Sequence, residues 1–561
     1  MKRVLFAFLV FSSACATQSE LSQVASSENL LSYSELITPE FLRQHLEVIA
    51  HDSLEGRATG MPGQKIAADY LAEYYSSLGI TPGGDNDTFF QKFKLNAEYT
   101  DSLIYSTYTV SAGDTLRYSH SVESKEQTGE FIRMFGGSEP LKGDVVFAGF
   151  GLNDEANGVL HLEGAELSGN WVMIFEDIPY IVDGDTLVNP NISSNSRVRS
   201  LLVENNAAGI LLISDYTRSE FDELAEISAQ LISNPSGLSL QYLEGRGRAA
   251  SFPNGVVQIS PEKAITFLGL DGKDQLHNLR DDLIDEITEF RAQKLPFILD
   301  YTPYEGPGYI ETENVLARIE GADPDKKHET LVLVAHYDHI GITQPDASGD
   351  AINNGADDNG SGTVALMNIA KTLKSAANDG YRPARSVLFL HVSAEEVGLL
   401  GSRYYSDHPV VPIENTVAAF NADMIGRSDP ENIRRGDTDY VYLIGGEIIS
   451  SGLDSLVQAA NRNSVNMRLD RRYNDLQDPN QFYRRSDHWN FGRLSVPFVF
   501  FFTGVHEDYH RPSDTVDKID FEKLARVTTL IYSSVIEVTN YDGRPVVDNE
   551  EFIEITRRMP R

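Results

Sequence analysis

The chain has 561 residues, enough for roughly three to four domains of ordinary size. Hydrophobic residues make up 41% and charged residues 23%, with 43 Gly and 23 Pro, which excludes a disordered or collagen-like chain. Acidic side chains number 83 against 47 basic ones, and the resulting charge of −36 repels a phosphate backbone and argues against a nucleic-acid partner.

At the N-terminus, Lys2 and Arg3 precede an apolar run from Val4 to Phe11 and the small residues Ser12, Ser13 and Ala14. This pattern predicts an export signal over residues 1–15, too short to span a bilayer. Its end resembles a lipobox, with Ser12 where Leu is usual. Cys15 would then become a lipidated N-terminus on a periplasmic or cell-surface protein, the alternative being simple secretion. Cys15 is the only cysteine, so there is no intrachain disulfide and no thiolate zinc site. Membrane contact is expected only through such an anchor.

Residues 16–36, rich in Ser, Gln and Glu without periodicity, predict a flexible tether. Thr38-Pro39-Glu40 opens a helix that places Leu42, Leu46 and Ile49 on one face. A second helix from about Pro62 carries Ile66, Tyr70, Leu71, Tyr74 and Leu78 and stops at Gly79. Residues 88–135 read as extended segments. From 137 to 290 short apolar runs (DVVFAGFG, NWVMIFED, GILLIS, GVVQIS) alternate with a helical stretch from Val198 to Asn206, a mixed module with no metal-ligand cluster or nucleophile motif. Its plainest reading is a binding or lid domain.

From 311 onward strand, loop and helix repeat. LVLVAH, SVLFLHVS, TVAAFNAD and PFVFFF are near-continuous apolar strands, as a parallel sheet buried on both faces requires, with helices at Ser361–Ser375 and Leu453–Arg462 between them. The fold class is therefore α/β, a mixed, mostly parallel sheet sandwiched by helices, with a smaller mixed α/β module inserted. Residues 546–561 read as a C-terminal tail.

Sites in open α/β sheets form beyond the carboxyl ends of strands, and each of these strands runs into polar residues there. In LVLVAHYDH, His336 and Asp338 share a face, which suits a metal-bound imidazole oriented by a carboxylate; His339 reads as a neighbour. In GADDNGSG, Asp357 is a carboxylate able to bridge two cations. In SAEEVG, Glu395 and Glu396 divide into one ligand and one proton acceptor. Asp423 ends a buried strand, where a carboxylate is costly unless paired or bound to a cation. The last strand leads to His506 and His510, and Ser486-Asp487-His488 forms a polar cluster upstream. Two histidines and three carboxylates in this order suit two zinc ions sharing one carboxylate.

The series HYD, GADDNGSG, AEE, NADMIG, SDH and DYHRPSDT resembles the aminopeptidase Y family of co-catalytic zinc peptidases, which also includes glutamate carboxypeptidase, glutaminyl cyclases and the inactive transferrin receptor. LEGRATGMPGQKIAADYL is similar to that family's N-terminal segment, and 137–290 to its protease-associated insert. The resemblance implies a peptidase domain over 37–136 and 291–545. It assigns His336 and Asp423 to one zinc and Glu396 and His510 to the other, with Asp357 bridging before a cis Asp357–Asp358 peptide. Glu395 would be the general base that activates a metal-bridging hydroxide, Asp338 the partner of His336, and Asp487 and His488 supporting residues near the pocket. The implied reaction is removal of N-terminal residues from peptide substrates with two zinc ions per chain. The alternatives are a zinc carboxypeptidase or dipeptidase of the glutamate carboxypeptidase type, which Arg484 and Arg485 keep open, and a receptor-like protein without catalysis.

Overall fold

The four apolar runs that read as parallel strands lie at the centre of a ten-stranded mixed sheet. Ser386–Val392, Thr330–His336, Thr416–Ala422 and Phe498–Phe502 are adjacent and mutually parallel. Antiparallel pairs flank them. Tyr309–Ile319, Phe90–Glu98 and Ser236–Leu240 extend one side, and Tyr440–Gly445 continues the other. This computed structural model describes residues 24–557 apart from 99, 112–113, 124–128, 138, 183, 234–235, 244–253, 306–307, 344 and 347. The export signal, Cys15 and the first part of the expected tether lie outside the described residues.

Every residue of the four central strands is buried, because helices cover both faces of the sheet. On one face pack the helices Pro39–Ile49, Pro62–Ser77, Gly362–Asn378, Ser451–Asn463 and Phe521–Asn540, through Leu46, Leu71, Ile369, Val457 and Leu530 among others. On the other, Tyr405, Phe491 and Phe552 close over Leu390, Tyr442 and Phe500. Each such side chain withdrawn from water contributes about 1.5–3 kcal/mol, which makes this two-sided burial the main source of the sheet's stability.

Local signals set the helix ends. The Thr38 hydroxyl accepts from the Phe41 amide at 3.2 Å and Pro39 occupies the first turn, with Leu42, Leu46 and Ile49 buried as expected. In the next helix the buried face is turned from the expected one. Ala67, Ala68, Leu71 and Tyr75 face inward while Ile66 is 52% exposed, because the alanines allow an approach to the sheet that larger residues would block.

The expected tether is docked over its described part. Ser26 caps the helix Ser27–Leu31, Leu30 is buried, and the Tyr532 hydroxyl donates to the Leu30 carbonyl at 2.6 Å. The C-terminal segment likewise contains a helix, Glu550–Arg557, whose Phe552 is buried with its ring 6.3 Å from Trp489 and 6.2 Å from Phe498.

A second, eight-stranded sheet is built from strands between residues 100 and 305. Leu141–Phe147, Trp171–Phe175, Gly209–Ile213 and Gly255–Ile259 run parallel at its centre. This sheet reaches beyond residues 137–290, since Thr100–Ser111, Asp114–Glu123, Phe131–Gly136 and Gln293–Glu305 also pair into it. Conversely, Ser236–Leu240, within 137–290, joins the first sheet beside Phe90–Glu98, which buries Leu240 against Phe93, Leu95 and Ala394. The expected helix from Val198 to Asn206 is instead an α-helix at Ser194–Arg199 followed by a wider turn at Ser200–Glu204. Among the described residues no helix is long and apolar enough to cross a membrane.

Candidate metal centre

Register brings the site together. His336 lies beside Val392 and Ala422 beside Phe501, so the residues that follow each parallel strand emerge along one edge of the sheet. There the His336 Nε2 atom lies 3.2 Å from Asp358 Oδ1, 3.5 Å from Asp423 Oδ1 and 4.0 Å from Glu395 Oε2. His510 Nε2 lies 3.2 Å from both Asp358 Oδ2 and Glu396 Oε2. Among the described residues, two groups present donor atoms all within 4.8 Å of one another: His336, Glu395 and Asp423, and His336, Asp358 and Glu396.

The expected bridging residue is displaced by one position. Asp358, not Asp357, stands between the two histidines, and the cis bond is Asp358–Asn359 rather than Asp357–Asp358. Asp357 points the other way, where its Oδ1 accepts from the Gly426 amide at 2.7 Å and its Oδ2 lies 3.2 Å from His506 Nε2. Two neighbouring side chains on a tight turn cannot share one direction. Asp514 fixes which of them faces the centre, because its carboxylate accepts from the Asp357 and Asp358 amides at 3.0 and 3.1 Å.

The remaining expected residues divide. The carboxylate of Asp338 is 3.8 Å from His336 Nδ1, and it is the Asp338 main-chain carbonyl that lies closer to that nitrogen, at 3.1 Å. The carboxylate itself accepts from the Glu395 amide at 3.2 Å and the Thr59 hydroxyl at 2.8 Å, which holds the Glu395 backbone instead. Asp487 is buried beside the cluster. His488 faces away from the centre. Its Nε2 is 3.1 Å from the Phe482 carbonyl and its ring lies 4.6 Å from those of Phe498 and Phe500, a histidine of the hydrophobic core.

Three contacts were not legible in the motifs. Ser486 donates to Asp423 Oδ2 at 2.7 Å, His339 Nδ1 lies 2.6 Å from Glu396 Oε1, and Asp514 braces the Asp357–Asp358 turn. Ser486 and Asp514 stand inside quoted motifs, SDH and RPSDT, but nothing in a sequence tells a turn-capping polar residue from one that orients a ligand.

Packing so many acids together perturbs their ionisation. Burial, reinforced by Glu396, Asp487 and Asp423, holds the Glu395 carboxyl well above the usual range, opposed by His336. Burial pushes Asp338 up to about 6 and Asp487 up to about 7. Burial works against charge on His510, yet Asp358 and Glu396 raise it to about 10. A cluster of this kind needs compensating positive charge, and the donor set fits zinc. It offers imidazole nitrogens and carboxylates, and Asp423 Oδ1 is buried with no hydrogen-bond partner. The carboxylates Asp358, Glu395, Glu396 and Asp423 wall a cavity of about 40 Å³, together with Arg485 and Ser486 and with Met424, Phe482, Phe500, Phe502, Val505 and Tyr509.

The stretch of chain that carries this histidine–carboxylate cluster is also the stretch that sequence comparison matches. Residues 314–535 match the model of peptidase family M28. Aminopeptidase YwaD of Bacillus subtilis is 28% identical over 236 residues, covering 39% of this chain and 43% of the relative. A probable leucine aminopeptidase of Arthroderma otae is 27% identical over 220 residues, covering 38% and 56%. The chain thus spans about half the length of the curated relatives it matches. The solved structure of BSAP, a zinc aminopeptidase from Bacillus subtilis, superposes with a TM-score of 0.50 at 16% identity, covering 91% of this chain and 98% of that one. The two share a fold.

Proposed function

We propose that this chain is an exported zinc-dependent aminopeptidase that releases N-terminal residues from peptides. The observation that carries the reading is the convergence of His336, Asp358, Glu396, Asp423 and His510 around Glu395 at the ends of four parallel strands. His336 and Asp423 would hold one zinc and Glu396 and His510 a second, with Asp358 shared. Zinc bound there would polarise the scissile carbonyl and lower the pKa of water.

The chain's own residues do the rest. Glu395, held through its amide by Asp338, takes a proton from the attacking water and delivers it to the leaving amine, and its raised pKa suits both directions of transfer. The carboxylates around the cluster favour the substrate's free α-ammonium. The apolar part of the small cavity's lining, Phe482, Phe500, Phe502 and Val505 among it, receives the first side chain. Outside the described residues, Cys15 would carry the lipid that anchors the mature protein.

A matched pair of peptides, one with a free and one with an acetylated N-terminus, tests the reading. Cleavage of the free peptide alone, lost with a chelator and with Glu395→Gln, is expected. Equal cleavage of both peptides refutes the aminopeptidase assignment. It would favour the second reading, cleavage of substrates whose carboxylate is gripped by Arg485, an exposed side chain at the cavity. Mass spectrometry of the mature N-terminus tests the anchor.

A further inference from the structure

Arg57 is an unusual side chain. It is fully buried, yet among the described residues its side chain forms no ion pair and its hydrogen bonds go to main-chain carbonyls. Burying a guanidinium is costly, and it is retained only where its fork is used. Here Nε donates to the Tyr337 carbonyl at 2.8 Å, Nη1 to Ile49 at 2.5 Å and Asn354 at 2.7 Å, and Nη2 to Gly355 at 3.0 Å. Its own carbonyl accepts from the His339 amide at 3.1 Å.

These partners belong to separate pieces of chain. Tyr337 directly follows His336, and Gly355 lies three residues before Asp358. One planar side chain therefore spans the link behind one metal-binding histidine and the turn that presents the shared carboxylate. The backbone is shaped for this. Arg57 has φ +52°, and its neighbour Gly56 has φ +66° in a place where a Cβ would come within 2.6 Å of the Asn353 carbonyl. The surrounding acids, Asp338, Asp358, Asp514 and Glu396, keep the guanidinium charged against burial.

We propose that Arg57 is a positioning residue for the metal centre, fixing the spacing between the His336 strand end and the Asp358 turn and thereby setting zinc affinity. The inference rests on the zinc reading above, and it assigns to a residue remote in sequence a role that no ligand performs.

The test is a zinc competition titration against a chromophoric chelator on metal-stripped protein, with a thermal melt of the same samples. Arg57→Lys keeps the charge but cannot bridge two segments, and Arg57→Gln keeps neither charge nor fork. Both are expected to weaken zinc binding about 10- to 100-fold, the usual cost of losing a residue that orients ligands. Variants that fold and bind zinc within about threefold of wild type would overturn the proposal, since a merely structural role moves the melt but not the affinity of the folded protein. Hydrogen exchange on the wild-type chain gives a second readout that does not depend on the variants folding. The amides of 337–339 and 355–358 are expected to gain protection together when zinc is added, and independent protection would overturn the proposal. If the wild-type chain binds no zinc, both the zinc reading and this inference fall; if it binds zinc and the variants match it, only this inference does.

Discussion

Exchanging the two adjacent aspartates for asparagine, one at a time, separates the proposed bridging position from its neighbour. Asp358 lies 3.2 Å from both His336 Nε2 and His510 Nε2, so Asp358→Asn removes the one negative charge common to both halves of the cluster. A unit charge at about 4 Å in a medium of effective dielectric about 20 is worth about 4 kcal/mol. At about 1.4 kcal/mol per decade, that is about three orders of magnitude in zinc affinity. Asp357 instead accepts from the Gly426 amide at 2.7 Å and faces His506. Asp357→Asn keeps an acceptor for that amide but removes the charge that strengthens the bond, a loss of about 1 kcal/mol that appears in the melt of the metal-free protein. Chelator-competition titrations at neutral pH, with parallel thermal melts, read both quantities. If Asp357→Asn abolishes zinc binding while Asp358→Asn retains it, the side-chain directions described here are wrong and so is the proposed ligand set.

Other expectations follow from single sites. Glu395→Gln should remove peptidase activity by several orders of magnitude while leaving zinc affinity within about tenfold, because Glu395 is assigned proton transfer rather than metal binding; loss of zinc measured by titration would contradict that division. Hydrogen bonds from Tyr440, Tyr442 and Asn432 oppose burial and hold Asp429 down to about 2, below its ordinary value. A lowered folded-state pKa contributes stability that is present above the unfolded value near pH 4 and lost as pH falls toward 2. The wild type should therefore lose about 2 kcal/mol more than Asp429→Asn across that window in denaturant titrations, and parallel pH profiles would count against it. Phe552→Ala should cost about 3–5 kcal/mol and release the C-terminal helix to limited proteolysis, since Phe552 is buried against Trp489 and Phe498.

The parallel strands were legible because burial on both faces requires continuous apolar runs, and the four that carry the site appear where the sequence places them. That His336, Glu395, Glu396 and Asp423 belong near one another was legible for the same reason, since each follows such a strand. The buried face of Pro62–Ser77 was read less well. Its alanines pack inward while larger residues line its margins, so hydrophobicity and burial part company there. Residues 24–36 and the C-terminal helix read as loose because a few anchors, Leu30 and Phe552 among them, do the docking, and a pattern method sees only the polar residues around them. The sequence by itself determined the strands, their order in chemistry and the residue types of the centre, because those depend on periodicity and on what a strand end can hold. Only the tertiary structure decided that Asp358 rather than Asp357 enters it, that Asp338 meets His336 through its carbonyl, and that Arg57 ties the Tyr337 and Gly355 carbonyls together. Each of these depends on which way a side chain points from an irregular turn, and contacts from distant segments set that direction.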